Sequence, residues 1–189
     1  MSTASQVTER AVSRETSTRP WIAGIGGGLV GGVGMGLLLH FVMGAMPVVG
    51  SLYGQPTVLA GWVAHLVHSA IFGLLFVALI TRTGLRSYAG TTARTTGLGT
   101  AYGAVLGIVT GAFVLPIWAN AVTGAGMPVP FLSGPAFAGH VVFGLLLGAV
   151  YVVTLTRGAG TTETSKTTEP ESNAGEDVES GSESDSPTA

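Results

Sequence analysis

Two long stretches of the chain, Trp21 to Thr81 and Thr95 to Thr156, contain no Asp, Glu, Lys or Arg, and a cluster of turn-forming residues interrupts each. In the first, apolar runs from Trp21 to Met46 and from Thr57 to Ile80 flank Pro47, Gly50, Gly54 and Pro56. In the second, runs from Thr96 to Trp118 and from Phe137 to Leu155 flank Asn120, Gly124, Gly126, Pro128, Pro130, Gly134 and Pro135. About 20 apolar residues in a helix cross the roughly 30 Å hydrocarbon layer of a bilayer. Backbone groups in lipid must be paired internally, which a helix of this length achieves. The alternating polarity of a barrel strand is not seen. The pattern predicts an all-α membrane protein of four transmembrane helices, arranged as hairpins at 21–81 and 96–156.

The flanking segments carry all the basic residues. An N-terminal arm, 1–20, is polar and holds Arg10, Arg14 and Arg19; a loop, 82–95, holds Arg82, Arg86 and Arg94; the tail, 157–189, begins with Arg157 and contains Lys166. The positive-inside rule places arm, loop and tail in the cytoplasm, so both termini are predicted inside, and the protein is a multi-pass component of the plasma membrane. Tyr53, Trp62 and Trp118 then fall near the outer interface. The arm lacks an apolar core ahead of a small-residue cleavage site, so no signal peptide is expected and the first helix serves as an anchor. The arm is expected to be mostly disordered, as is the tail, whose acidic run from Glu169 to Asp185 has too little apolar content to form a core.

Sliding the chain against itself by about 75 residues aligns the hairpins without a gap. Gly24, Gly28, Gly32 and Gly36 fall on Gly99, Gly103, Gly107 and Gly111; His65 falls on His140, Gly73 on Gly148, and Thr81-Arg82 on Thr156-Arg157. The match predicts a tandem duplication of one hairpin, a parallel repeat whose copies are related by an axis along the membrane normal. Each Gly-x-x-x-Gly ladder lets another backbone approach closely. On this reading the first and third helices form the central pair. Gly27, Gly31 and Gly34 add a second small face to the first helix, for a contact within the bundle or with another copy.

Composition narrows the chemistry. The mean hydropathy is +0.54, with 30 glycines and no cysteine, which excludes disulfides, thiolate ligands and a thiol nucleophile. A Gly-x-Gly-x-x-Gly-like run at Gly24 to Gly28 lacks the preceding strand and the acidic ribose partner of a dinucleotide site. No Walker loop or kinase signature is present, so no enzymatic activity is expected, and no nucleic-acid partner either. Pro116, late in the third helix, reads as its terminus or a kink. Tyr53-Gly54 and Asn120 could shape an entrance in the outer loops or serve as turn chemistry.

The four histidines are then the only groups near the membrane able to titrate or bind a metal. At about 1.5 Å per residue from the cytoplasmic flanks, His65 and His140 lie roughly 25 Å up, His68 roughly 21 Å and His40 roughly 31 Å, one layer toward the outer face. The repeat axis could bring His65 and His140 together to hold haem b or start a transition-metal site, with His68 and His40 in support. The alternative is that they hydrogen-bond neighbouring helices or interfacial water.

The Gly-Trp-x-x-His-Leu-x-His stretch from Gly61 to His68, the His140, Gly144, Gly148 spacing and the acidic Ser/Glu tail resemble the small uncharacterised multi-pass membrane proteins of halophilic archaea. The resemblance covers the four helices and implies a plasma membrane adapted to high salt; it implies no activity. Three functions follow in order: a structural or assembly component whose ladders pack within the bundle, in a homo-oligomer or against another membrane subunit; a haem- or metal-binding redox or sensor subunit; and a small neutral-solute permease or channel.

Overall fold

A computed structural model describes residues 3–89 and 91–166. Helix α1 runs Thr3–Leu37 and continues as a π-helical turn, Leu38–Val42. A short α2 (Met46–Ser51) precedes α3 (Val58–Arg82), and a short α4 (Leu85–Tyr88) precedes α5 (Thr92–Leu106). From α5 the backbone passes through a second π-helical stretch, Gly107–Val114, into α6 (Leu115–Thr123), and α7 spans Gly134–Lys166. Four segments are long and apolar enough to cross a membrane: Thr18–Val42, Val58–Arg82, Thr92–Thr123 and Gly134–Arg157. No strand occurs among the described residues.

Several boundaries differ from those the sequence suggests. The arm, expected to be mostly disordered, is helical from Thr3, and α1 runs through Pro20 without ending there. At the other terminus α7 runs past Arg157 to Lys166, ahead of the first proline of the tail, Pro170; residues 167–189, with the whole acidic run, lie outside the described residues. The third long helix starts at Thr92, where the Thr91 hydroxyl caps it by accepting from the Arg94 N–H at 3.3 Å. Thr57 caps α3 in the same way through Ala60 at 3.2 Å.

Pro116 does not end the third helix. A proline leaves the carbonyl four residues earlier without its helical donor. Here that carbonyl, on Ala112, accepts instead from the Phe131 N–H at 2.8 Å, and the preceding turns widen to π geometry. The helix therefore continues to Thr123.

The glycine ladders pack, but not against each other. A methyl group on Gly24 would lie 2.9 Å from the Gly73 carbonyl oxygen, and one on Gly28 would lie 3.1 Å from the Gly73 Cα and overlap the Ser69 carbonyl. In the second hairpin a methyl on Gly99 would lie 2.8 Å from Gly148 Cα, and one on Gly103 would lie 2.9 Å from Gly144 Cα. The first and third membrane helices are thus not the central pair; each ladder is spent on the following helix of its own hairpin. Small residues on both sides, Gly73 against Gly24 and Gly148 against Gly99, make that the closest available approach.

The other small face of α1 closes on α7. Methyls on Gly27 and Gly31 would lie 2.9 Å and 2.6 Å from the Leu147 and Phe143 carbonyl oxygens. The resulting cycle is α3, α1, α7 and α5, with α1 close to α3 and to α7, and α7 close to α5. The remaining neighbours, α3 and α5, make no comparable backbone approach. They meet through Tyr102, whose hydroxyl donates to the Phe72 carbonyl at 2.9 Å and whose ring packs 5.3 Å from Phe76. Beside this contact lie the buried Phe76, Val77, Leu147 and Tyr151. Toward the hairpin turns, the two helices leave a space.

Candidate functional site

That space is a chamber of about 390 Å³ at the end of the bundle that carries both hairpin turns. All four long helices contribute to it. Met35 comes from α1; His65, His68, Ser69 and Phe72 from α3; Leu106 from α5, with Thr110 and Gly111 from the π stretch and Trp118 from α6; Ala136, His140 and Phe143 from α7. The two turns add Met43, Gly44, Ala45, Val48, Val49 and Leu52 from the first, and Met127 and Phe131 from the second. A predominantly apolar wall with a few polar groups is the usual make-up of a small-molecule pocket, and the volume lies in that range.

Local chemistry fixes the roof. The Asn120 side chain grips the Met127 backbone in both directions, donating to its carbonyl at 2.9 Å and accepting from its N–H at 2.7 Å. Phe131 is held by its N–H bond to Ala112. The first turn folds onto α3 so closely that a methyl on Gly61 would overlap the Met46 carbonyl. Tyr53 and Trp118 join across the top with ring centroids 5.3 Å apart, and Tyr53 Oη lies 2.7 Å from His68 Nε2. The turn residues Tyr53 and Asn120 thus help shape the site. Gly54, with φ of +72°, provides a left-handed turn position.

The ladders stop meeting backbone where the chamber begins. Gly36 faces the Trp62 ring, Gly107 faces the His140 and Phe137 side chains, and a methyl on Gly111 would find its nearest neighbour, His140 Cε1, at 3.4 Å. A methyl at Gly111 would therefore sit in ordinary contact with the His140 ring, without meeting backbone.

Three of the four histidines reach the chamber. His65 on α3 and His140 on α7 stand on helices that do not neighbour each other in the cycle, and His68 is one turn from His65. His40 does not line it; its ring packs 4.5 Å from Phe41 and 6.2 Å from Trp62. The four-histidine set is therefore divided, and among the described residues no three His, Cys, Asp or Glu side chains are gathered to hold a metal. The reason is helical phase: His40 lies within the π turn Leu38–Val42 that ends the first membrane helix.

Hydrogen bonding distinguishes the matched pair. His65 Nε2 lies 2.9 Å from the Gly32 carbonyl on α1. His140 Nδ1 lies 2.8 Å from the Ala136 carbonyl of its own helix, and its Nε2 lies 3.2 Å from Thr110 Oγ1. The hairpins also pack one turn out of step: Gly28 sits over Ser69 and Gly73, whereas Gly99, not Gly103, sits over Gly144 and Gly148. Ser69, whose hydroxyl donates to the His65 carbonyl at 2.8 Å, occupies the place that Gly144 leaves bare.

Tyr102 is the residue the sequence reading missed. Its signal was present: adding 75 to Gly27, Gly31 and Gly34 gives Tyr102, Leu106 and Val109. The chain is thus a helical bundle with four membrane-length apolar helices and a largely apolar chamber between them. No protein-family model matches it, and neither a curated protein nor a solved structure is significantly similar to it.

Proposed function

We propose that the chain is a multi-pass integral membrane protein, built from two copies of one hairpin with both termini in the cytoplasm, that binds a small, largely apolar molecule in its outer half. The observation that carries this reading is the chamber between α3 and α5, with its apolar wall and three imidazoles. The orientation rests on the confinement of Lys and Arg to the ends and the middle loop. The lining contains no Asp, Glu, Lys, Arg or Cys, which favours binding or passage of a neutral solute over a reaction. Assembly with another copy or subunit would use faces other than the ladders, whose backbone-facing rungs are occupied within the chain.

The test is binding of an apolar aromatic probe to the protein in nanodiscs, read by tryptophan quenching against empty discs. Wild type is expected to bind saturably, and Gly111→Leu, whose Cβ fits beside the His140 ring and whose remaining carbons occupy the chamber, to lose binding while still folding. Equal binding by both proteins would remove the chamber as the site. A second reading, haem or a transition metal between His65 and His140, draws support from the two imidazoles lining one chamber on facing helices. An absorbance spectrum and metal analysis of the purified protein test it, with loss of a Soret band or of metal in His65→Ala and His140→Ala as the supporting result.

A further inference from the structure

Two of the three imidazoles that line the chamber, His65 and His140, are not free to choose which nitrogen carries a proton. A carbonyl oxygen can only accept, so the nitrogen facing it must be the N–H, and in a neutral ring the other nitrogen is then a lone pair. The Gly32 carbonyl, 2.9 Å from His65 Nε2, therefore makes Nδ1 the acceptor. Among the described residues that Nδ1 takes no partner. Among the described residues no side-chain nitrogen or oxygen is buried without a partner, so this atom is open, and the space that His65 lines is the chamber. The same reasoning applies across the chamber. The Ala136 carbonyl, 2.8 Å from His140 Nδ1, leaves Nε2 as the acceptor. Its one neighbour is the Thr110 hydroxyl at 3.2 Å, whose single proton is also sought by the Leu106 carbonyl at 2.6 Å. The shorter contact holds that proton, and His140 Nε2 is left wanting a donor.

We infer that the chamber selects a neutral apolar molecule carrying a hydroxyl group, a phenol or alcohol, whose proton is donated to His65 Nδ1 or His140 Nε2. The inference rests on the chamber being a binding site and adds the polarity of its ligand. A molecule of the same shape that only accepts hydrogen bonds meets two lone pairs and is disfavoured. In an apolar enclosure the unpaired group is penalised more than in water, so one donor is worth about tenfold in affinity.

The experiment compares 1-naphthol with 1-methoxynaphthalene on the full chain in nanodiscs, each corrected for partition into empty discs. The first donates a proton and the second cannot. Wild type is expected to bind 1-naphthol about tenfold more tightly, and the double variant His65→Phe, His140→Phe, which removes both acceptors, to lose that preference while still binding 1-methoxynaphthalene. Should the variant fail to fold, the wild-type comparison of the two ligands decides by itself. Equal affinity, or preference for the ether, overturns the donor inference and leaves the chamber standing. Binding of neither overturns both, and stoichiometric haem or metal in the purified protein overturns the inference because the lone pairs would already be committed.

Discussion

The contact of α1 with α7 and that of α5 with α3 correspond under the 75-residue offset, yet one is shut and the other is open. Across the first, Gly27 and Gly31 lie against the Leu147 and Phe143 carbonyls. Across the second, Tyr102 stands where Gly27 would, and its hydroxyl reaches the Phe72 carbonyl, the counterpart of Leu147, at 2.9 Å. Glycine brings backbone to backbone; tyrosine holds the same carbonyl a side chain's length away. The two interfaces thus differ in the bulk they carry at matched positions: Gly27, Gly31 and Gly34 on the shut side, Tyr102, Leu106 and Val109 on the open one. Lipid tails are as apolar as the side chains, so close packing rather than hydrophobic burial holds such helices together, and bulk at a few positions decides whether they touch.

The strongest way to break the comparison is to give the shut interface the side chain of the open one. Gly31→Leu copies Leu106, but its Cβ alone would come 2.6 Å from the Phe143 carbonyl oxygen and 3.0 Å from the Phe143 ring. Backbone must move, and the expected loss is about 3 kcal/mol, at the upper end for overpacking. Unfolding in SDS measures it, with Ile108→Leu, at an exposed position, as a control expected to change little. A Gly31→Leu protein as stable as the control would mean that α1 and α7 are free to separate.

Helix number and hairpin grouping were legible because charge is absent from four runs of membrane length, a signal that survives any detail of packing. The partners of the ladders were not legible. A Gly-x-x-x-Gly stripe states that something approaches closely, but not which helix: Gly73 and Gly148 stand out in the sequence as a matched pair, and only the fold sets them against Gly24 and Gly99. Pro116 misled for a similar reason: its effect depends on Phe131, fifteen positions later, supplying the missing donor to Ala112. The histidine layer was partly legible. Rise per residue gave the height of His65, His68 and His140, whereas the π turn at Leu38–Val42, which carries His40 elsewhere, leaves no periodic trace.

A smaller effect is expected at the roof of the open side. Asn120→Ala removes both bonds to the Met127 backbone and leaves that peptide to water or to nothing. The side chain is half-buried, and two bonds of this kind are worth about 1–2 kcal/mol together. Because Met127 lines the chamber, probe affinity is expected to fall several-fold along with the midpoint of unfolding. Stability lost with affinity intact would show that the second turn covers the chamber without shaping it.

The smallest change separates the two jobs of Tyr102. Its ring keeps α3 and α5 apart, packing 5.3 Å from Phe76, and its hydroxyl ties them together at the Phe72 carbonyl. Tyr102→Phe removes the tie and keeps the spacer. Interhelical hydrogen bonds among membrane helices average about 0.6 kcal/mol, so the expected loss of stability is of that order, near the limit of what SDS unfolding resolves. The Phe72 carbonyl is already a helical acceptor and is not stranded by the change, which keeps the penalty low. If the ring sets the spacing, the variant binds the aromatic probe as wild type does. Should Tyr102→Phe instead lose binding at nearly unchanged stability, the hydroxyl and not the ring would be holding the helices in register, and the difference between the two interfaces would lie in a hydrogen bond rather than in bulk.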